Sequence, residues 1–398
     1  MDPKEKMEKT RQDVLTLTNL KEPDQVPTTL GIEAGWAFMY AGVKWADLED
    51  DPEAFAQAYC KCWREIPISI GGGPTRTTLR PAQALGNYQF VYSSDGLGIT
   101  HNQAADVYLG PEVYDEIIAD QQGLADRFMR MRNPKLNGPR AEAVEALRNC
   151  AKAQVVANEA SARINQIIRE ELGIFGLINF DFAEGSEPSY GYFGEFWNFY
   201  DRYRGPQSAF SDLRRYPDKV KAACDFLYEQ TKSRIVYDTA TMGNPLPVGN
   251  TMFHPESYMS PKQFDELYFK NFMEIMNPVM EAGKKVFLYG EGAFMRHIER
   301  FRETPRGAMI ITLDQDDIFE AKKKVGDWCT LVCGPKAELL NLGSEQQIKD
   351  FVKRCFDELA PGGGWIFSAP ANSLIAAKDV SVKGIVTAYE TAYELNHQ

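Results

Sequence analysis

The chain has 398 residues, 44 Lys and Arg against 56 Asp and Glu, a formal net charge of -12 and only four histidines. With 44% hydrophobic and 25% charged residues it has globular composition, which excludes disorder as the main state. The acidic balance argues against sequence-independent nucleic-acid binding, which needs Lys and Arg to displace counterions, and against an anionic membrane surface.

Residues 1–25 are polar and read as a helical arm, too charged for the apolar core of a signal peptide. A first strand is predicted at Val26–Ile32, followed by a helix from Asp51, a cap with Pro52 in the first turn, to Ile66. A short strand near Ile68–Ile70 stops at Gly71-Gly-Gly, and Tyr88–Tyr108 has hairpin character. A long helical stretch covers Pro139–Leu172. Strand-like runs then recur at Gly176–Phe182, Leu246–Phe253, Lys285–Tyr289, Ala308–Leu313, Thr330–Val332 and Trp365–Phe367. Helical patterns lie between them at Pro217–Thr239, Pro261–Gly283, Ala293–Glu303, Ile318–Val325 and Ser344–Leu359.

Strand and helix in alternation specify a parallel sheet. No G-x-G-x-x-G opens the first turn, as a dinucleotide fold would want. The expected fold is therefore α/β, a (β/α)8 TIM barrel. Residues 1–25 form its N-terminal arm, residues 26–398 the barrel, and about 72–175 an elaborated helical and hairpin segment. No run of about 18 apolar residues is present. Seven cysteines, an odd number spread along the chain, do not look like a disulfide framework and suggest a reducing cytoplasm.

Barrel chemistry sits where strands end. That rule selects Glu33, Asp181, Glu184, Glu187, His254, Glu256, Tyr289, Glu291, Asp314, Asp316, Asp317, Cys333, Ser368, Pro370 and Asn372. The segment Ser189–Tyr203 holds eight aromatics in fifteen residues. Tyr192, Phe193, Phe196 and Trp197 there are candidates to line an aromatic-binding pocket; core packing or a homodimer surface is the plainer reading. His254 lies in the loop before the helix capped by Ser260. Each candidate has an ordinary role to set beside a functional one: Glu291 as an ion pair with Arg296, Cys333 as a buried small apolar group, Tyr289 as packing, the aspartates as caps for the helix at Ile318.

Several motifs, in order and spacing, resemble the uroporphyrinogen decarboxylase superfamily. They are Met259-Ser-Pro-Lys-Gln-Phe-Asp-Glu-Leu-Tyr, Met280-Glu-Ala-Gly-Lys-Lys-Val-Phe-Leu-Tyr-Gly-Glu-Gly, Asp317-Ile-Phe-Glu-Ala-Lys-Lys-Lys-Val-Gly, Leu339-Leu-Asn-Leu-Gly-Ser-Glu-Gln-Gln-Ile and Gly362-Gly-Gly-Trp-Ile-Phe-Ser-Ala-Pro-Ala-Asn. Upstream, Ala41-Gly-Val-Lys-Trp-Ala-Asp-Leu followed by Asp51-Pro-Glu is similar to the methyltransferase branch. The resemblance implies the same barrel. The Arg-rich segment of true decarboxylases is replaced by Gly31-Ile-Glu-Ala-Gly-Trp-Ala-Phe-Met-Tyr, where Glu33 would repel a substrate rich in carboxylates.

Thiol-methylating members carry zinc on a His-x-Cys plus a later Cys. Here the pair reads Tyr289-Gly-Glu291, and the later position offers Cys333. The resemblance then implies a demethylating methyltransferase. It would take methyl from a methoxylated aromatic and give it to the Co(I) corrinoid of a partner protein docked at the barrel mouth, since no Asp-x-His-x-x-Gly segment is present to ligate cobalt. On this reading His254, Glu291 and Cys333 are candidate zinc ligands, Tyr289 and Tyr258 candidate acids, and Asp181 and Asn372 orienting groups. Glu33 and the four aromatics complete the substrate contacts. The alternatives are another methyl donor (a methylamine or methylated thiol) and a non-catalytic member that binds a tetrapyrrole or corrinoid protein.

Overall fold

Alternate residues along each strand face opposite sides of a sheet, and in this chain both sides are apolar, as a parallel sheet covered by helices requires. The computed structural model describes residues 1–74, 76–177, 190–240, 247–370 and 379–398. Its strands are β1 (Thr28–Thr29), β2 (Phe90–Tyr92), β3 (Ile99–His101), β4 (Tyr190–Tyr192), β5 (Pro247–Phe253), β6 (Lys285–Gly290), β7 (Met309–Thr312), β8 (Thr330–Cys333) and β9 (Trp365–Ser368). Strands β2 and β3 form the antiparallel hairpin of the elaborated segment. The other seven pair in parallel in the order β1-β9-β8-β7-β6-β5-β4. Parallel bridges Thr29–Ile70 and Ile70–Phe175 continue the ring beyond β1. This is the expected α/β architecture, a (β/α)8 barrel. Most of the strand expected at Gly176–Phe182 lies outside the described residues.

Parity divides the core in two. Phe287, Ile310, Val332 and Ile366 meet Ile70, Phe175 and Leu177 inside the barrel, with Tyr289 packed above them. Val286, Leu288, Ile311, Leu331, Cys333, Trp365 and Phe367 point outward into the larger cluster shared with the helices.

The arm is not a separate element. Its helix, Pro3–Thr18, starts at Asp2, whose carboxylate caps the Lys4 amide. Val14 and Leu17 are fully buried and belong to the interior cluster. The end of the helix is tied to the strand starts: Lys285 Nζ donates to Thr18 O at 3.2 Å, Asn19 Oδ1 at 3.1 Å and Gly307 O at 2.7 Å. Gly364 N donates to Leu17 O at 3.1 Å. The helix therefore closes the N-terminal end of the barrel and leaves the C-terminal end as the mouth.

Two helical expectations change in detail. The stretch Pro261–Gly283 is one helix interrupted by a π-helical turn, Asp265–Phe269, between Pro261–Phe264 and Lys270–Glu281. Between Ala293 and Glu303 only a 3-10 turn forms, Ile298–Glu303. The amides of Phe294 and Met295 donate to the Asp316 carboxylate, each at 3.0 Å, rather than to a preceding carbonyl. His297, expected mid-helix, instead lies just before the turn.

Candidate functional site

The loops after β5, β6 and β7 bring their first polar residues together at the mouth. His254 follows Phe253, the last residue of β5, and Glu291 follows Gly290, the last of β6. Those two strands are hydrogen-bonded neighbours with Phe253 opposite Gly290, and the Glu291 amide donates to Phe253 O at 3.0 Å. His254 Nε2 lies 3.5 Å from Glu291 Oε2. Among the described residues the base beside Glu291 is thus His254, and no ion pair joins it to Arg296. Burial raises the Glu291 pKa; His254 pulls it back, while the negative charges of Asp314 and Asp201 push it up further. Asp314 is held in place by accepting from the Gly292 amide at 2.8 Å.

An aromatic wall stands beside this pair. Tyr200 packs edge-on against His254, with ring centroids 4.9 Å apart, and burial raises its hydroxyl to about 12. It belongs to a π-helical turn, Asn198–Tyr203, within the aromatic-rich segment. That segment's composition flagged the wall, but a π turn shifts which side chains share a face, so Tyr200 was not among the candidates. Of those that were, Tyr192 and Phe196 are fully buried. Tyr192 donates to Glu195 Oε2 at 3.0 Å and packs on Tyr268; Phe196 packs on Phe210. Phe193 and Trp197 are half-buried and tilt together at 5.7 Å.

A buried polar layer backs the pair. Glu256 Oε2 accepts from the His254 amide at 3.0 Å. The residue is fully buried, its Oε1 has no partner among the described residues, and burial raises its pKa to about 8. Glu195, also pushed up by burial, accepts from Tyr192 and from Asn271 Nδ2 at 3.1 Å. Tyr268 is hydrogen-bonded to Thr251. His297, stacked on Phe264 at 4.1 Å, is held neutral by burial, with its pKa lowered to about 4.

The remaining candidates fall in different places. Tyr289 points into the barrel interior beneath the mouth. Tyr258 stands 64% exposed at the rim. Glu33 lies just before the helix Ala34–Ala41, where its charge acts on Arg76. Asp317 caps its helix through the Phe319 and Glu320 amides, the structural role expected of it. Asp181 and Asn372 lie outside the described residues. Cys333 is fully buried on the outward face of β8; burial raises its thiol to about 12, with Trp365 and Lys322 acting against that rise. It does not join His254 and Glu291. Among the described residues no group of three His, Cys, Asp or Glu side chains is arranged to hold a metal ion. Zinc normally takes three or four protein ligands, so the described residues do not make the zinc site expected from the sequence. No helix among the described residues is long and apolar enough to cross a membrane.

No curated protein matches the sequence. The fold superposes on a methyltransferase from Methanosarcina mazei with a TM-score of 0.58, covering 97% of this chain and 98% of that one at 15% identity. The match with the uroporphyrinogen decarboxylase (URO-D) family spans residues 201–389, which contain His254, Glu291 and the strands β5 to β9 that present them. Residues 201–389 thus match the URO-D family, within a (β/α)8 barrel whose fold superposes on that of a methyltransferase.

Proposed function

We propose that the protein is a methyltransferase that removes the methyl group of an aryl methyl ether and delivers it to the corrinoid of a partner protein docked at the barrel mouth. The reading is supported by the likeness of fold to a methyltransferase and by the aromatic wall at Tyr200. The observation that carries it is the Glu291 carboxyl, raised by burial and set beside His254. A phenolate is a poor leaving group unless it is protonated as the bond breaks. A carboxyl whose proton is held more tightly than usual by burial is suited to that task.

When bound at the mouth, a partner's Co(I) corrinoid would supply the nucleophile and accept the methyl group. As the carbon–oxygen bond breaks, its electron pair stays on oxygen and the Glu291 proton moves to that oxygen, releasing a phenol; Glu291 then recovers a proton from water. His254 holds the carboxyl in position through its ring, and Tyr200 holds His254 from the side. Tyr289 and Tyr258 are further donors below and above the pair, and Asp181 and Asn372 orient the ring. Glu33, Phe193 and Trp197 contribute to the substrate wall.

The test is phenol release from methoxybenzenes by the purified protein with a reduced corrinoid protein. Glu291→Gln keeps the size of the side chain and removes the acid, so the rate should fall by roughly 10²–10⁴-fold with KM little changed. Full activity in Glu291→Gln would remove Glu291 from the chemistry. No phenol from any methoxybenzene, with methyl transfer from a methylamine or methylated thiol instead, would overturn the ether as donor.

A further inference from the structure

A concave site lies between the elaborated segment and the turn that carries Tyr200. It is a cavity of about 730 Å³ between the chain that follows Ile70, the helices Gln121–Arg132 and Arg140–Gln166, and the turn Asn198–Tyr203. Its charged lining is of one sign. Arg76, Arg132 and Arg202 line it, and no Asp or Glu does among the described residues, in a chain of net charge -12. Among the described residues none of the three arginines forms an ion pair, whereas eleven other arginines do.

Each guanidinium lies over a ring instead. Arg76 is 4.0 Å from the Phe90 centroid, Arg132 is 5.5 Å from Phe128 and Arg202 is 5.1 Å from Trp197. Burial depresses the Arg76 pKa; Glu33 draws it back up and the like charge of Arg132 lowers it further. Arg76 and Arg132 are therefore close enough to repel, and the Glu33 charge offsets part of that repulsion at Arg76. Phe90, Phe128 and Tyr203 add ring faces and edges to the wall. Like cations held together on an acidic protein, inside a concave site of ligand size, are stabilised by an anion. The planar guanidinium pairs with a carboxylate through two parallel hydrogen bonds and also stacks on rings.

We propose that this cavity binds a flat organic carboxylate, its anion between Arg76 and Arg132 and its ring against Phe90, Phe128 and Tyr203. A bare phosphate would leave the rings unused and the volume unfilled. The site is independent of the methyl-transfer reading, because binding needs neither corrinoid nor partner.

Calorimetry with benzoate on the full chain tests it. Saturable binding is expected, with affinity falling about tenfold or more in Arg132→Gln and in Arg76→Gln, as loss of a hydrogen bond to a charged group predicts. Arg202→Gln, at the exposed rim, gives a third variant with least risk to folding, and unchanged thermal melting confirms that each is intact. Benzamide, the neutral isostere, should bind far more weakly. Benzoate affinity unaffected in all three variants would overturn the proposal, as would no saturation up to the millimolar range. Inorganic phosphate or adenosine monophosphate binding more tightly than benzoate would overturn the choice of carboxylate.

Discussion

Glu256 is a carboxylic acid sealed beneath the mouth, and its environment makes a definite demand on stability. Its ordinary pKa of 4.5 is raised to about 8 by burial in the fold. Between those two values the unfolded chain has lost the proton and the folded chain keeps it. Stability must therefore fall as pH rises through that window, and it is fully present only below about 4.5. The loss is on the order of 3–5 kcal/mol by pH 8. Glu256→Gln keeps the acceptor for the His254 amide and removes the titration. Urea midpoints measured from pH 5 to 8 should decline in the parent and decline less in the variant, with the difference growing toward pH 8. Superimposable profiles would show that Glu256 is ionised in the fold. The same scale shows why Cys333 was expected at the site and is not there. The sequence pattern ends the strand at Val332 and leaves Cys333 in the loop above; in the fold β8 runs through Cys333. One residue of extension places it on the strand's alternation, opposite in parity to the interior Val332. His254 and Glu291 escape this uncertainty because each follows its strand's last residue.

At the scale of elements, the apolar runs of β5 to β9 were legible because a strand buried on both faces has no polar alternation to dilute it. The arm was legible as a helix but not as a plug. Its mean composition is polar, and Val14 and Leu17, with Met7 and Leu15 packed beside them, mark the face that meets the barrel. That contact is long-range, and no local pattern announces it. Leu17 is fully buried against the barrel floor, and Leu17→Ala should cost roughly 2–5 kcal/mol while leaving the mouth untouched. Chemical denaturation measures the loss. A cost below about 0.5 kcal/mol, the range of ordinary surface changes, would mean that the arm contributes little to the core. The missing helix before Ile298 was illegible for a related reason. There the chain is fixed by long-range bonds, the Phe294 and Met295 amides donating to the distant Asp316 carboxylate, and local propensity is only a weak guide to such a segment.

For the whole molecule, the barrel separates a stabilising end from a chemical one. Lys285 anchors the arm at the start of β6, and Glu291 lies just past its end, six residues on and so about 20 Å away at roughly 3.3 Å per residue. Phe287 and Tyr289 fill the interior between them. If that interior behaves as rigid packing, the two ends are energetically independent. Substitutions with no shared partners at such a distance add to within about 0.5 kcal/mol. The double variant Leu17→Ala/Glu291→Gln should therefore show the sum of the two single stability changes. Under conditions where the double variant is folded, its transfer rate should match that of Glu291→Gln alone. A coupling energy above about 1 kcal/mol, or a further rate loss from Leu17→Ala, would mean that the plug adjusts the mouth through the interior cluster of Phe287 and Tyr289. The arm would then be part of the active site's support rather than only its floor.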